Sequence, residues 1–152
     1  MADEDAERVI PIEELERLVG TDFPTGRFTV APHEHWLACD VVGIEPWADG
    51  VAYPLWPYYG ILMGLGIDLS DLFALFGASD DDGVMAGETS VRLHRPLEVG
   101  ATYTVPATCR SIERKHGKTL GTFDLMWFDL QIVDDSGEVV AEVGNSFVFP
   151  RR

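Results

Sequence analysis

Gly87-Glu88-Thr89-Ser90-Val91-Arg92-Leu93-His94-Arg95-Pro96-Leu97-Glu98-Val99-Gly100 is the stretch whose reading decides the fold. From Thr89 to His94 apolar and polar residues alternate, the period of a strand with one covered face. Pro96-Leu97 then makes a corner and Gly100 a turn, since proline breaks a ladder and glycine tolerates a positive φ. Alternation resumes at once in Thr102-Tyr103-Thr104-Val105-Pro106-Ala107-Thr108-Cys109. Two strands joined by a tight corner predict an antiparallel sheet in the second half of the chain.

The sheet extends towards the C-terminus. Residues 111–112 lead to a polar turn at Arg114-Lys115-His116-Gly117-Lys118. A long strand is expected over 120–133, a hairpin turn at Asp134-Asp135-Ser136-Gly137, and a last strand over 138–149. Towards the N-terminus the pattern becomes helical. Residues 12–19 have apolar positions at helical spacing and stop at Gly20, 27–30 form a candidate first strand, and Pro32 opens a helix over 33–42 that stops near Gly43. After a loop over 45–53, the run from Pro54 to Ile67 is apolar nearly all round, which predicts a buried helix. Residues 68–76 continue it, and Ser79-Asp80-Asp81-Asp82-Gly83 is a solvated loop. Residues 1–9 read as an acidic flexible N-terminus and 10–152 as one domain. Helices followed by a meander give an α+β class, with the helices on one face of the sheet.

Composition narrows the function. A chain of 152 residues, 46% of them hydrophobic, suits one domain with an ordinary core. Its 26 acidic and 11 basic residues give a formal charge of −15, so neither nucleic acid nor an anionic membrane is expected as a partner. The acidic start does not resemble a leader, and no apolar run reaches spanning length, so the expected compartment is the cytoplasm. Cys39 and Cys109 lack metal-site spacing and read as small core residues, and no metal or cofactor is expected. Phosphate-binding loops, dinucleotide fingerprints and serine nucleophile elbows are absent from the sequence.

The strand, His94-Arg95-Pro96-Leu97 corner and following strand resemble those of the MaoC-like dehydratase group. Three further segments are similar: Glu113-Arg114-Lys115-His116-Gly117-Lys118, the hairpin from Val133 to Ala141, and the closing Asn145-Ser146-Phe147-Val148-Phe149-Pro150-Arg151-Arg152. The likeness is good over 84–152 and looser over 10–75. It implies a hot-dog fold, an antiparallel sheet wrapped around a central buried helix, here the segment after Pro54. It also implies acyl-thioester sites built between two subunits.

Catalytic members of the group carry an Asp and, five residues on, a His; one handles water and the other the α-carbon proton. Asp40 is the position that matches the Asp, but Glu45 stands five residues on, and no His lies between His35 and His94. The two carboxyls could in principle share a proton, one pKa raised by the other. The plain alternative is a surface Asp near a helix end and a loop Glu. The group also places a Gly at the start of the central helix, its N–H on the thioester carbonyl. Gly60 resembles it, with Tyr59 where His is usual; packing against a strand is an equal alternative.

Tyr53, Trp56 and Tyr59, with Trp47 and Tyr58, form an aromatic cluster that reads as core or as lining for an acyl chain or sterol-like ring. His94 reads as a structural hydrogen-bonding residue or a substrate contact. Arg92, Arg95, Arg110, Arg114, Lys115 and Lys118 concentrate in one stretch and could meet the phosphates of coenzyme A. The expected role is therefore a non-catalytic, substrate-accommodating subunit. Its partner would be a catalytic MaoC-like hot-dog subunit, in an (R)-specific enoyl-CoA hydratase or 3-hydroxyacyl-thioester dehydratase. The substrate would be an acyl-CoA or acyl-carrier-protein thioester. Alternatives are a self-paired hot-dog thioesterase or dehydratase using Asp40 and Glu45, and a non-enzymatic acyl-CoA or hydrophobic-ligand binding module.

Overall fold

Alternation along β3 (Thr102–Gly117) turns Tyr103, Val105, Ala107 and Cys109 to one face, where all four are buried. That face carries the sheet's core. β3 pairs with β1 (Asp22–Thr29) on one side and β4 (Gly121–Val133) on the other, and β5 (Val139–Arg151) lies between β4 and β2 (Met85–Leu93). All pairings are antiparallel, in the order β1-β3-β4-β5-β2. Four of the strands touch α3 (Trp56–Met63), the α+β hot-dog arrangement expected from the sequence. The computed structural model describes residues 9–151, so all but the last residue of the acidic segment 1–9 lies outside the described residues.

The helices depart from expectation in instructive ways. α2 (Pro32–Val42) has the Pro start and Gly stop read from the sequence, with Gly43 at φ 73° closing it. α1 ends early, at Ile12–Glu16, and β1 begins five residues before the expected strand, broken by a bulge between Phe23 and Gly26. The central helix is not continuous: α3 stops at Met63 and α4 spans Leu69–Leu75. β1 forces the break. A Cβ on Gly66 would stand 1.8 Å from the Pro24 carbonyl, and one on Gly26 would stand 1.8 Å from the Gly64 carbonyl, so backbone meets backbone there. The apolar run is also not buried all round. Trp56, Pro57, Gly60 and Ile61 face the core, while Leu55, Leu62 and Met63 are about half exposed.

β2 is the second departure. Its alternation predicts one covered face, yet all nine residues are exposed. It pairs only with β5, and its other edge is open. The third lies at 114–118, expected as a turn: β3 runs on through Gly117, and the turn is confined to residues 118–120.

Candidate functional site

Asp40 lies in the last turn of α2 and Glu45 in the loop beyond; both are exposed, and neither carboxylate has a side-chain partner among the described residues. The imidazole in the same region is His35, which is buried. Its Nε2 accepts the backbone N–H of Tyr53 at 3.0 Å. Cys39, one helical turn on, puts Sγ 3.6 Å from the same nitrogen. His35 therefore latches α2 to the segment leading into α3. Sequence analysis missed this, although His35, Ala38 and Cys39 have the spacing of one helix face.

Trp56, Tyr59 and Tyr58 do come together, whereas Tyr53 is tied in through its backbone. The Trp56 ring lies 5.7 Å from His35 and 5.9 Å from Tyr59. Trp56 is buried, and its indole N–H meets no acceptor among the described residues. Trp56 and Tyr59 line a shallow apolar groove with Leu37, Val41, Leu62 and Met63. Trp47 stands apart and half exposed. Gly60 is the fifth residue of α3, not at its start. Its N–H falls inside the helical ladder rather than among the free N–H groups of the first turn. A Cβ there would stand 2.3 Å from the Phe28 ring, so the missing side chain lets α3 settle onto β1.

The basic residues divide. Arg92 and His94 flank Glu142 on the outer sheet face, with His94 Nε2 2.8 Å from the Glu142 carboxylate. Arg95 pairs with Asp134 in the β4–β5 hairpin. The Ser136 hydroxyl and the Glu138 N–H hold the Asp134 carboxyl below the usual carboxylate range. Arg114, Lys115 and Lys118 lie towards the opposite end of the sheet, Arg114 level with Phe149 and so seven residues along β5 from Glu142, roughly 23 Å. Arg114 is moreover committed. It grips buried Asp124 through Nε at 2.8 Å and Nη2 at 2.9 Å, and it donates to the Ile10 carbonyl. That hydrogen-bonded pairing raises the Arg114 pKa. Lys115 pairs with Glu113. The residues close together in sequence do not form one phosphate patch.

A second, more enclosed cleft lies between α3, α4 and the inner sheet face. Its wall is hydrocarbon, from Phe23, Ile61, Leu72, Phe128 and Phe147 among others, with Asn145 as its one polar residue. Among the described residues no group of three or more His, Cys, Asp or Glu could hold a metal ion. No helix among the described residues is long and apolar enough to cross a membrane.

Comparison with known proteins agrees with this geometry. A chain of the ChsH1–ChsH2 complex from Mycobacterium tuberculosis is similar at TM-score 0.69 and 18% identity, over 93% of this chain and 92% of that one. A chain of the HadBC (3R)-hydroxyacyl-ACP dehydratase complex, also from Mycobacterium tuberculosis, is similar at 0.62 and 16%, over 86% and 96%. The R-hydratase PhaJ1 from Pseudomonas aeruginosa is similar at 0.58 and 15%, over 95% and 88%. No curated protein sequence matches the chain. The family model described as the FAS1-like dehydratase domain region matches residues 56–143, more than half of the sequence, from α3 through β4 to the start of β5. The chain belongs to that family, with the hot-dog fold of MaoC-like dehydratases.

Proposed function

We propose that the chain is the non-catalytic, substrate-accommodating subunit of a heteromeric (R)-specific enoyl-CoA hydratase or 3-hydroxyacyl-thioester dehydratase. Its partner is a hot-dog subunit bearing the Asp–His pair, and the assembly works in the cytoplasm on an acyl-CoA or acyl-carrier-protein thioester. One observation carries the proposal. Asp40 and Glu45 are solvated and unpartnered, while the nearby imidazole, His35, is buried and occupied by the Tyr53 N–H. Adding water across a conjugated thioester needs two placed proton-transfer groups, a role that neither the solvated Asp40 and Glu45 nor the occupied His35 fits. The open β2 edge and half-exposed α3 add support, since edges of this kind are normally covered. Two of the similar folds come from complexes of two named proteins, ChsH1–ChsH2 and HadBC.

The test is reconstitution. Co-expression with a MaoC-like hot-dog subunit that has an intact Asp–His pair should yield a stable complex that hydrates enoyl-CoA. Activity should vanish when the partner's Asp is replaced. Hydration by this chain alone would overturn the proposal.

One feature favours self-pairing as a second reading. Glu88 and Arg92 are symmetric about Ser90 on the free strand β2. A twofold-related copy centred there would set Glu88 against Arg92 twice. Under that reading the chain is a homodimeric hot-dog thioesterase or dehydratase.

A further inference from the structure

We infer that the groove between α2 and α3 receives a cationic amphipathic helix of a partner protein, apolar along one stripe and flanked by Lys or Arg. The inference goes beyond the acyl-thioester reading above and does not depend on it. The groove has a volume of about 440 Å³ and lies open to solvent. Leu37 and Val41 of α2 form one wall, at 52% and 83% exposure, and Leu62 and Met63 of α3 form the other, each about half exposed. Leu37 and Val41 are one helical turn apart, as are Tyr59 and Met63, so each wall is a ridge along its helix. A third helix can lay its own ridge between two such ridges. Open hydrocarbon of this kind does not enclose a small molecule as a ligand pocket does, and it is the surface that helix-in-groove recognition uses.

Charge selects the occupant. The sequence has no Lys or Arg between Arg27 and Arg92, and α2, α3 and α4 all fall in that interval. The same interval holds Glu34, Asp40, Glu45, Asp49, Asp68 and Asp71. Among the described residues none of these six is in an ion pair. On the sheet, by contrast, Glu113, Asp124, Asp129 and Asp134 each pair with a cation. Glu34 lines the groove itself. Asp40 stands one turn beyond Leu37, and Asp68 borders a second hollow that shares Leu62. Arg27 is turned by the alternation of β1 away from Phe28, the residue that meets α3. A second copy placed groove to groove would set carboxylate against carboxylate. Coenzyme A and anionic lipid headgroups carry the same sign and are repelled likewise. A helix with Lys or Arg beside its apolar stripe answers both the hydrocarbon and the unpaired charge.

The experiment uses the full chain and two labelled helical peptides of about 18 residues. Both carry Leu at i, i+3, i+4 and i+7 spacing; one has Lys at all remaining positions and the other has Glu. Fluorescence anisotropy should show the Lys peptide binding at least about tenfold tighter than the Glu peptide. That margin should shrink as salt rises from about 0.1 to 1 M, which cuts the screening length from roughly 10 to 3 Å. Leu37→Asp with Val41→Asp separates docking from attraction by net charge alone. It makes the chain more acidic, so attraction by net charge would tighten, whereas docking in the groove should weaken by about tenfold or more. Should that variant fail to fold, Glu34→Lys decides, and it should weaken the Lys peptide several-fold. Equal binding of the two peptides, binding of neither, or undiminished Lys-peptide affinity in the double variant overturns the inference, as does unchanged affinity in Glu34→Lys. None of these outcomes touches enoyl-CoA hydration by a reconstituted pair, so the two readings fail separately.

Discussion

Arg151 donates from Nε to Oδ2 of Asp124 at 2.7 Å, and the two side chains are only 4% and 0% exposed. The same guanidinium also donates to the carbonyls of Phe76 and Gly77, just past the end of α4. Arg114 donates to both carboxylate oxygens, Nε to Oδ1 and Nη2 to Oδ2, and to the Ile10 carbonyl. One buried carboxylate thus ties the last strand, the central hairpin, the end of α4 and the N-terminal segment together. Asp124→Ala would leave two cations facing each other in the core without their anion. It should cost about 3–5 kcal/mol, the usual penalty for removing one member of a buried ionic group, measured by urea unfolding. A loss below about 1 kcal/mol would show that water reaches the arginines and the group is not a core element.

Gly60 gives a second stability prediction. Its Cβ position is filled by the Phe28 ring, so Gly60→Val must push α3 off β1. Overpacking of this kind costs about 1–3 kcal/mol, and the melting temperature should fall in step with any loss of ligand binding. Lost binding at unchanged melting temperature would restore the role of Gly60 as a carbonyl-binding position.

What the sequence disclosed and what it hid follow from the range of the forces involved. α2 was legible because its Pro start and Gly stop are local backbone constraints. The β3–β4–β5 meander was legible because side-chain alternation is local too. The break between α3 and α4 was not, since its cause is Pro24 and Gly26, some forty residues away. Arg114 looked like a turn residue because its partner, Asp124, is met only when β3 runs on to Gly117. Alternation in β2 announced a covered face without saying that this chain does not supply the cover.

Alkaline pH should destabilise the fold. Burial pushes the Cys109 thiol up to about 11 and raises the Tyr103 hydroxyl. For both groups the unfolded chain loses its proton first, so stability is full below the unfolded pKa of the thiol and falls as pH climbs from about 9 towards 11. Urea midpoints measured across that window should decline, and Cys109→Ala should flatten the lower part of the decline. A midpoint that stays constant to pH 11 would contradict the burial argument. At pH 8 only about one Cys109 in a thousand is thiolate, so thiol reagents should label it only on unfolding.

Asp40 and Glu45 bear on where the chemistry lies. Both are exposed, and a Glu cannot replace a neutral imidazole near neutral pH without a large shift. The double variant Asp40→Asn, Glu45→Gln should therefore leave a reconstituted pair within about tenfold of full activity, under roughly 1.4 kcal/mol in the barrier. A thousandfold loss with folding intact would move the chemistry into this chain and favour the self-paired enzyme.

The isolated chain should not persist as a monomer. β2 offers nine exposed residues and a free hydrogen-bonding edge. Beside the core lie Leu55, Leu62 and Met63 of the α3 segment and Leu37 and Val41 of α2, each about half exposed or more, with Val41 at 83%. A free edge invites another strand, and apolar surface of this extent is normally covered. Light scattering at micromolar concentration should report a dimer or larger species. Val91→Lys places a charge on the inner side of that edge, a device that blocks strand pairing. It should shift the population towards monomer, with the melting temperature becoming independent of protein concentration. A sharp monomer with a concentration-independent melting temperature in the unaltered chain would mean that β2 has no self-partner. Association would then have to come from a different hot-dog subunit, and titrating that subunit against Val91→Lys would show whether the same edge receives it.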